Sequence, residues 1–255
     1  FNAFGFGILW DKNFKTNDNS LMIISSSAIV LSKLKYRDND LIIKLLVREL
    51  GVTSFIVRGG SKKNKTNYFQ QLSLLEIEFD FNSKKSLHYF KDFENKFSLK
   101  TIHTDYKKMG VVIFLSEFLS KILVHQEKDF ELFNFIEDSI KYYDDTKFNS
   151  SFHLAFLIKL SKFLGFFPET ENNHYKFFDL QHGCYTNTED SKYLISHEEL
   201  ECFNMILGIN FDDLNLLTIN SVQRKNLLDN IILYYKLHIE NFVSVKSLEV
   251  LRKLF

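Results

Sequence analysis

The sequence predicts an α+β molecule in two parts, a small five-stranded β-barrel followed by an all-helical domain with a small hairpin insert. Two observations carry this reading: the hydrophobic period changes near residue 100, and the formal charge changes sign at the same place. Before that point apolar residues come in short β-branched or aromatic runs, and after it they recur every three or four positions. Residues 22–100 hold 14 Lys and Arg against 8 Asp and Glu, an excess of +6, whereas residues 101–255 hold 16 against 22, an excess of −6. The overall neutrality thus hides a basic module on an acidic body, the footprint of a molecule in which one part meets a polyanion.

Taken in order, residues 1–21 are aromatic, contain glycine and follow no period, and the first methionine is Met22. They read as an upstream extension of a chain that starts at Met22, with an aromatic anchor for a partner as the alternative. Strands are predicted at residues 28–36, 41–46, 53–57, 72–79 and 87–93. Turn chemistry separates them: Arg37-Asp38-Asn39-Asp40, then Gly51, then Gly59-Gly60 with a polar run to Asn67, then Asn82-Ser83-Lys84-Lys85. Five short strands with one longer connection suit a partly open OB-type barrel over residues 22–100, a fold that binds oligonucleotides on its face and loops. An SH3-like barrel fits the same pattern.

Residues 101–255 form the helical part. In 109–124, Val112, Leu115, Leu119 and Ile122 recur at three- or four-residue spacing while Glu117 and Lys121 lie elsewhere around the helix, as an amphipathic or largely buried helix requires. Helices over 130–143 and 152–166 follow, broken by Asp144-Asp145 and by Gly165 ahead of Pro168. An irregular insert at about 169–195 contains Gly183 between aromatic runs and reads as a hairpin. Ser196 with Glu199 three residues on is a capping-box signature for a helix through Leu207, and 214–239 and 244–254 complete the tail.

Several function classes are excluded. The longest apolar runs, such as residues 111–115, are far short of the roughly 20 residues that cross a bilayer. Cys184 and Cys202 cannot build a disulfide framework, and the start lacks a secretory pattern, so a reducing cytoplasm is expected. There is no phosphate-cradling Gly-rich loop ending in Lys-Ser/Thr, no Gly-x-Ser-x-Gly elbow and no His-Glu-x-x-His helix. Glu76, Glu78 and Asp80 alternate along one strand, which a solvent-facing strand edge explains better than a divalent-ion site. The expectation is a binding protein without catalytic residues or cofactor.

The order of motifs from Met22 to the C-terminus resembles the RecO family of recombination and repair proteins. The resemblance rests on Ala28-Ile29-Val30-Leu31 leading to Lys35-Tyr36-Arg37-Asp38, on Leu50-Gly51, and on Val57-Arg58-Gly59-Gly60 followed by lysines. It continues through Gln71-Leu72-Ser73-Leu74-Leu75-Glu76, residues 117–123, Phe163-Leu164-Gly165-Phe166-Phe167-Pro168 with Phe178-Asp179-Leu180 and Gly183, and Val245-Lys246-Ser247. The resemblance implies a cytoplasmic, nucleoid-associated, non-enzymatic mediator. Such a protein would bind single- and double-stranded DNA, anneal complementary strands, and help RecR, with or without RecF, to load RecA onto DNA coated by single-stranded DNA-binding protein.

Against that implication, Lys33, Lys35, Arg37, Lys44 and Arg48 lie on or beside the first two strands, and Arg58, Lys62, Lys63 and Lys65 cluster in the glycine-led loop. Such cations neutralise phosphates and release counterions, giving salt-sensitive binding with little sequence preference. Tyr36, Phe55, Tyr68 and Tyr89 are candidates to stack unpaired bases, with packing in the barrel core as the competing role for each. The resemblance also implies that Lys121, with Lys159 and Lys162 at the rim and Phe118 and Leu160 as liners, receives the acidic, phenylalanine-ended tail of single-stranded DNA-binding protein. An ordinary exposed lysine or core residue is the alternative at each position. Some relatives hold the central insert with four cysteines around zinc. Here only Cys184 occupies that region, so no metal is expected and packing around Phe177, Phe178 and Tyr185 stands in for it. A protein-interaction adaptor and an RNA-binding OB protein remain the other readings.

Overall fold

The computed structural model of the protein describes residues 22–60, 63–124 and 126–254. The expectation for residues 1–21 lies outside the described residues. Strands β1 (Met22–Tyr36), β2 (Asp40–Val47), β3 (Gly51–Val57), β4 (Leu74–Phe81) and β5 (Leu87–Asn95) form a closed barrel in the order β1-β2-β3-β5-β4, with β1 returning to β4. All pairings are antiparallel except β3 with β5. This is OB-type connectivity, closed where the sequence suggested a partly open barrel. The difference comes from β1, which starts at Met22 opposite Phe81 and supplies the closing seam. The polar run Ser25-Ser26-Ser27 hid this half of the strand from the hydrophobic pattern. Because β4 pairs on both sides, Glu76, Glu78 and Asp80 sit on an interior strand with partners such as Ser27, Lys96 and Lys91, not on a sheet edge.

Inward positions of the strands, among them Val30, Ile43, Leu45, Phe55, Ile77 and Phe79, fill the barrel. Between β3 and β4 a short helix α1 (Lys63–Thr66) and a 3₁₀ turn (Asn67–Phe69) add the fully buried Phe69 to this core.

The helical body comprises α2 (Tyr106–Ile122), α3 (Phe130–Asp145), α4 (Phe152–Phe163), α5 (His197–Leu207), α6 (Ser221–His238) and α7 (Leu248–Leu254). Asp144 belongs to α3 and does not break it. Its carboxylate accepts backbone N–H bonds from Lys100, Thr101 and Ile102 at 2.7–3.0 Å, fixing the connection from the barrel. The ammonium of Lys108, almost wholly buried, donates to the carbonyls of Tyr143, Asp144 and Thr146 and to Thr101 Oγ1, which satisfies orphan carbonyls at the C-terminus of α3.

In the insert, the expected hairpin of β6 (Phe177–Asp179) and β7 (Cys184–Thr186) gains a third strand, β8 (Leu194–Ser196), on the far side of β6. Phe178 packs against Tyr185, Phe203 and Tyr234, seating the insert on α5 and α6. Ser196 is not a capping-box residue: it ends β8, and its hydroxyl meets His197 Nδ1. The capping box lies at α6, where the Asn220 side chain accepts from Val222 and Gln223 and the Gln223 side chain accepts from the Asn220 N–H. Asn and Gln perform there the exchange that Ser and Glu perform elsewhere.

Barrel and helices share a seam. Ile29, Leu31, Leu46, Leu72 and Leu74 point away from the barrel interior and join the core of the helical body with Val112, Leu115 and Phe118. A bulge in β1 between Val30 and Ser32 leaves the Leu31 carbonyl out of the strand ladder, and the buried Ser116 hydroxyl on α2 donates to it at 2.6 Å. The Val52 N–H donates to the Gln126 carbonyl at 3.0 Å. Gly51, at φ 84°, lies so close that a Cβ there would stand 2.1 Å from the Gln126 oxygen.

Candidate nucleic-acid interface

The sequence nominates nine cations on the barrel, and the structure separates them. At one end of the barrel the β1–β2 turn meets the end of β3: Tyr36 lies opposite Asp40, Leu41 opposite Val57, and the Gly59 N–H donates to Asp40 Oδ1 at 2.9 Å. The parallel pairing of Ile56 with Tyr89 brings β5 alongside. Lys35, Arg37, Arg58 and Lys65 are therefore exposed around this end, and β5 adds the exposed Lys91, which the sequence reading did not nominate. Only the non-local β3–β5 contact places Lys91 here, so local pattern gave no signal for it.

Two Arg–Tyr pairs mark the same end, with the Arg37 guanidinium 5.2 Å from the Tyr36 ring centroid and the Arg58 guanidinium 5.2 Å from that of Tyr89. Between β3 and β5 runs a groove of about 450 Å³ lined by Arg58, Lys65, Tyr89, Phe90, Lys91 and Phe93. Lys65 Nζ donates to the Arg58 carbonyl at 3.4 Å, and Lys91 forms a 2.9 Å ion pair with Asp80. Lys62 lies outside the described residues, as does the side chain of Lys63, whose backbone opens α1.

Lys44 and Arg48 are elsewhere. Lys44 Nζ donates to the Ser120 carbonyl at 2.6 Å in the last turn of α2, and burial lowers its pKa. It caps a helix C-terminus in the seam and does not face solvent as a DNA ligand would. Arg48 pairs with Glu49 and lies over the Phe130 ring at 4.6 Å, with Lys128 on the same ring at 4.3 Å and on the same carboxylate at 2.8 Å. Lys33, half-buried on β1, also has its pKa lowered by burial.

The aromatic candidates divide just as clearly. Phe55 is fully buried against Phe79, and Tyr68 is half-buried edge-on to Phe93. Tyr36 is half-buried, while Tyr89 is 47% exposed.

On the helical body Phe118 and Leu160, expected as groove liners, have no exposed surface and are core residues; Phe118 packs edge-on to Tyr235. Lys121 pairs with Glu117 at 2.7 Å and donates to the Ser244 carbonyl. The Glu117 carboxylate in turn accepts from the backbone of Lys246 and Ser247 and from the Ser247 hydroxyl, tying down the start of α7. Burial would raise the Glu117 pKa, but these bonds and Lys121 hold it at about 2. Lys159 lies over the Phe211 ring at 5.6 Å, and Lys162 is exposed on the same helix.

In the insert, Asp179 accepts from the Gln181 N–H at 2.8 Å and meets His182 Nδ1 at 2.7 Å. The buried carboxylate thus shapes the turn between β6 and β7. Among the described residues no three His, Cys, Asp or Glu side chains converge as a metal site requires, so the residues present do not fit zinc. No helix among the described residues is long and apolar enough to cross a membrane.

Comparison with known proteins matches this architecture along its length. The family model Recombination protein O N terminal covers residues 22–98, and Recombination protein O C terminal covers residues 103–249. The DNA repair protein RecO of Flavobacterium psychrophilum is 34% identical over 238 residues, spanning 92% of this chain and all of that protein. The proteins of the same name from Christiangramia forsetii and Phocaeicola vulgatus are each 33% identical with the same coverage. The chain, with its OB-type barrel and helical body, belongs to the RecO family and has a role in DNA repair and recombination.

Proposed function

We propose that this protein is a recombination mediator that acts by binding rather than by catalysis, holding DNA at the end of the barrel where the β1–β2 turn meets the end of β3. The observation that supports this most directly is the convergence of Lys35, Arg37, Arg58, Lys65 and Lys91 with two tyrosines at one end, while the remaining nominated cations with described side chains are half-buried or in the seam. Clustered exposed cations neutralise successive phosphates of any sequence, the property needed to bind both single and double strands and to bring complementary strands together. The family resemblance supports the rest of the proposal: annealing of complementary strands, and assistance to RecR, with or without RecF, in loading RecA onto DNA coated by single-stranded DNA-binding protein. The acidic tail of that coating protein would be met on the helical body, with Lys162 the exposed cation, Lys159 half-buried over Phe211 and Lys121 engaged in holding α7.

Fluorescence anisotropy of a labelled oligo(dT) across a salt series tests the DNA reading. The full chain is expected to lose affinity linearly in log salt. An Arg37→Ala/Arg58→Ala/Lys65→Ala variant should flatten the slope by about 2, given ~0.7 counterions released per phosphate on a single strand. A Lys44→Met/Arg48→Met control should leave the slope unchanged. No binding at low salt would overturn the proposal in favour of a protein-interaction adaptor.

A further inference from the structure

We infer that the groove between β3 and β5 is a slot for one unpaired nucleobase, stacked on Tyr89 while its flanking phosphates meet Arg58, Lys65 and Lys91. The inference rests on the DNA-binding reading above and deepens it, since cations alone do not distinguish a flipped-out base from a phosphate backbone.

Four features of the groove point to a base. First, Tyr89 is 47% exposed on a strand whose next residue inward, His88, is buried, so the ring stands on a fixed backbone with nearly half its surface in solvent. An exposed aromatic held by a barrel strand loses little entropy on stacking, and every base offers it a π-face. Secondly, the floor is apolar: Phe90 stacks on Phe55 with ring centroids 4.4 Å apart, and Phe93 packs against Phe69 at 5.0 Å. An apolar floor suits a ring and offers nothing to a phosphate. Thirdly, Arg58 lies over Tyr89 at 5.2 Å, steadying the ring and placing a fork of donors at the mouth of the slot. Fourthly, Lys65 and Lys91 are exposed on the walls, giving positive charge on both sides of an apolar floor. The volume of about 450 Å³ accommodates a base with its sugar.

Base pairs inside a duplex have both faces covered by their neighbours, so the slot admits an unpaired strand and leaves a duplex to the surrounding cations alone. Of the four aromatics the sequence offered, Tyr89 is the most exposed: Phe55 is in the core, and Tyr68 and Tyr36 are half-buried.

The test compares three probes of equal length on the full chain at one salt concentration: oligo(dT), a chain of abasic deoxyribose phosphates, and a blunt duplex. The wild type should prefer oligo(dT) over the abasic chain by on the order of tenfold, the worth of a single aromatic stack. Tyr89→Ala should erase that preference while leaving abasic and duplex affinities unchanged, and Tyr89→Trp should keep it. 2-Aminopurine placed in the strand should be quenched by the wild type and not by Tyr89→Ala. Equal affinity for oligo(dT) and the abasic chain, or a Tyr89→Ala loss shared equally by all three probes, would overturn the slot and leave phosphate binding standing. Failure of the wild type to bind any probe would instead sink the DNA reading on which the slot depends.

Discussion

A lysine almost excluded from water is costly unless its donors are all used, and Lys108 meets that condition with three backbone carbonyls and one hydroxyl. Asp144, which gathers the N–H groups of Lys100, Thr101 and Ile102, also supplies the largest favourable charge near that ammonium, whose pKa burial otherwise lowers. Asp144→Asn should therefore destabilise the protein by about 3–5 kcal/mol, the usual cost of removing one partner from a buried charged network. Urea unfolding followed by circular dichroism measures it, and a loss below about 1 kcal/mol would show the network to be incidental. In the sequence Asp144 was legible only as a helix breaker, because nothing local announces that a carboxylate will serve backbone from 42 residues away. The basic residues show a similar limit. Strand alternation tells which side chains point out of a barrel, but Lys35 points to solvent and Lys44 to the end of a helix, and that difference is set by packing between elements.

Elements were legible where one face is apolar and obscured where two partners share them. The strands β2 and β3 and the helix α3 follow their hydrophobic periods, and α2 and α4 are legible as apolar runs buried on most sides, whereas β1 is legible only from Ala28, since its first residues serve as a seam and present serines. The third strand of the insert is not legible in the sequence because three residues, Leu194–Ser196, carry too little pattern. The turn opening β3 shows how tightly neighbouring elements approach. Gly51 combines a left-handed φ with backbone contact to Gln126 and Glu127, so Gly51→Ala is strained in both conformation and space. It should cost more than about 1 kcal/mol and faster amide exchange should appear at Val52, whose N–H crosses to Gln126. Unchanged exchange at Val52 in the variant would mean that the loop simply moves aside.

For the molecule as a whole, acid sensitivity has a definite origin. His153 on α4 is buried, and burial followed by the nearby Arg224 charge lowers its pKa to about 3; burial also lowers that of His88 inside the barrel. An unfolded histidine titrates near 6.5, so the unfolded chain takes up protons first as pH falls. Stability should be complete above about pH 6.5 and decline on the way down toward pH 3, with Glu117 adding its own loss below about pH 4.5 as its carboxylate protonates. His153→Gln should flatten the limb between pH 6.5 and 4.5 in urea midpoints, and an identical limb in the variant would assign it to other groups.

The seam has a last consequence. Along β1, Ala28 and Val30 belong to one apolar cluster while Ile29 and Leu31 belong to the other, so a single strand is shared by two interiors. The family models draw a boundary between residues 98 and 103, but a scissor cut there would leave Ile29, Leu31, Leu46, Leu72 and Leu74 as a greasy stripe on the excised barrel. The two halves are therefore expected to melt as one cooperative unit, and a barrel expressed alone would seek another surface to cover that stripe.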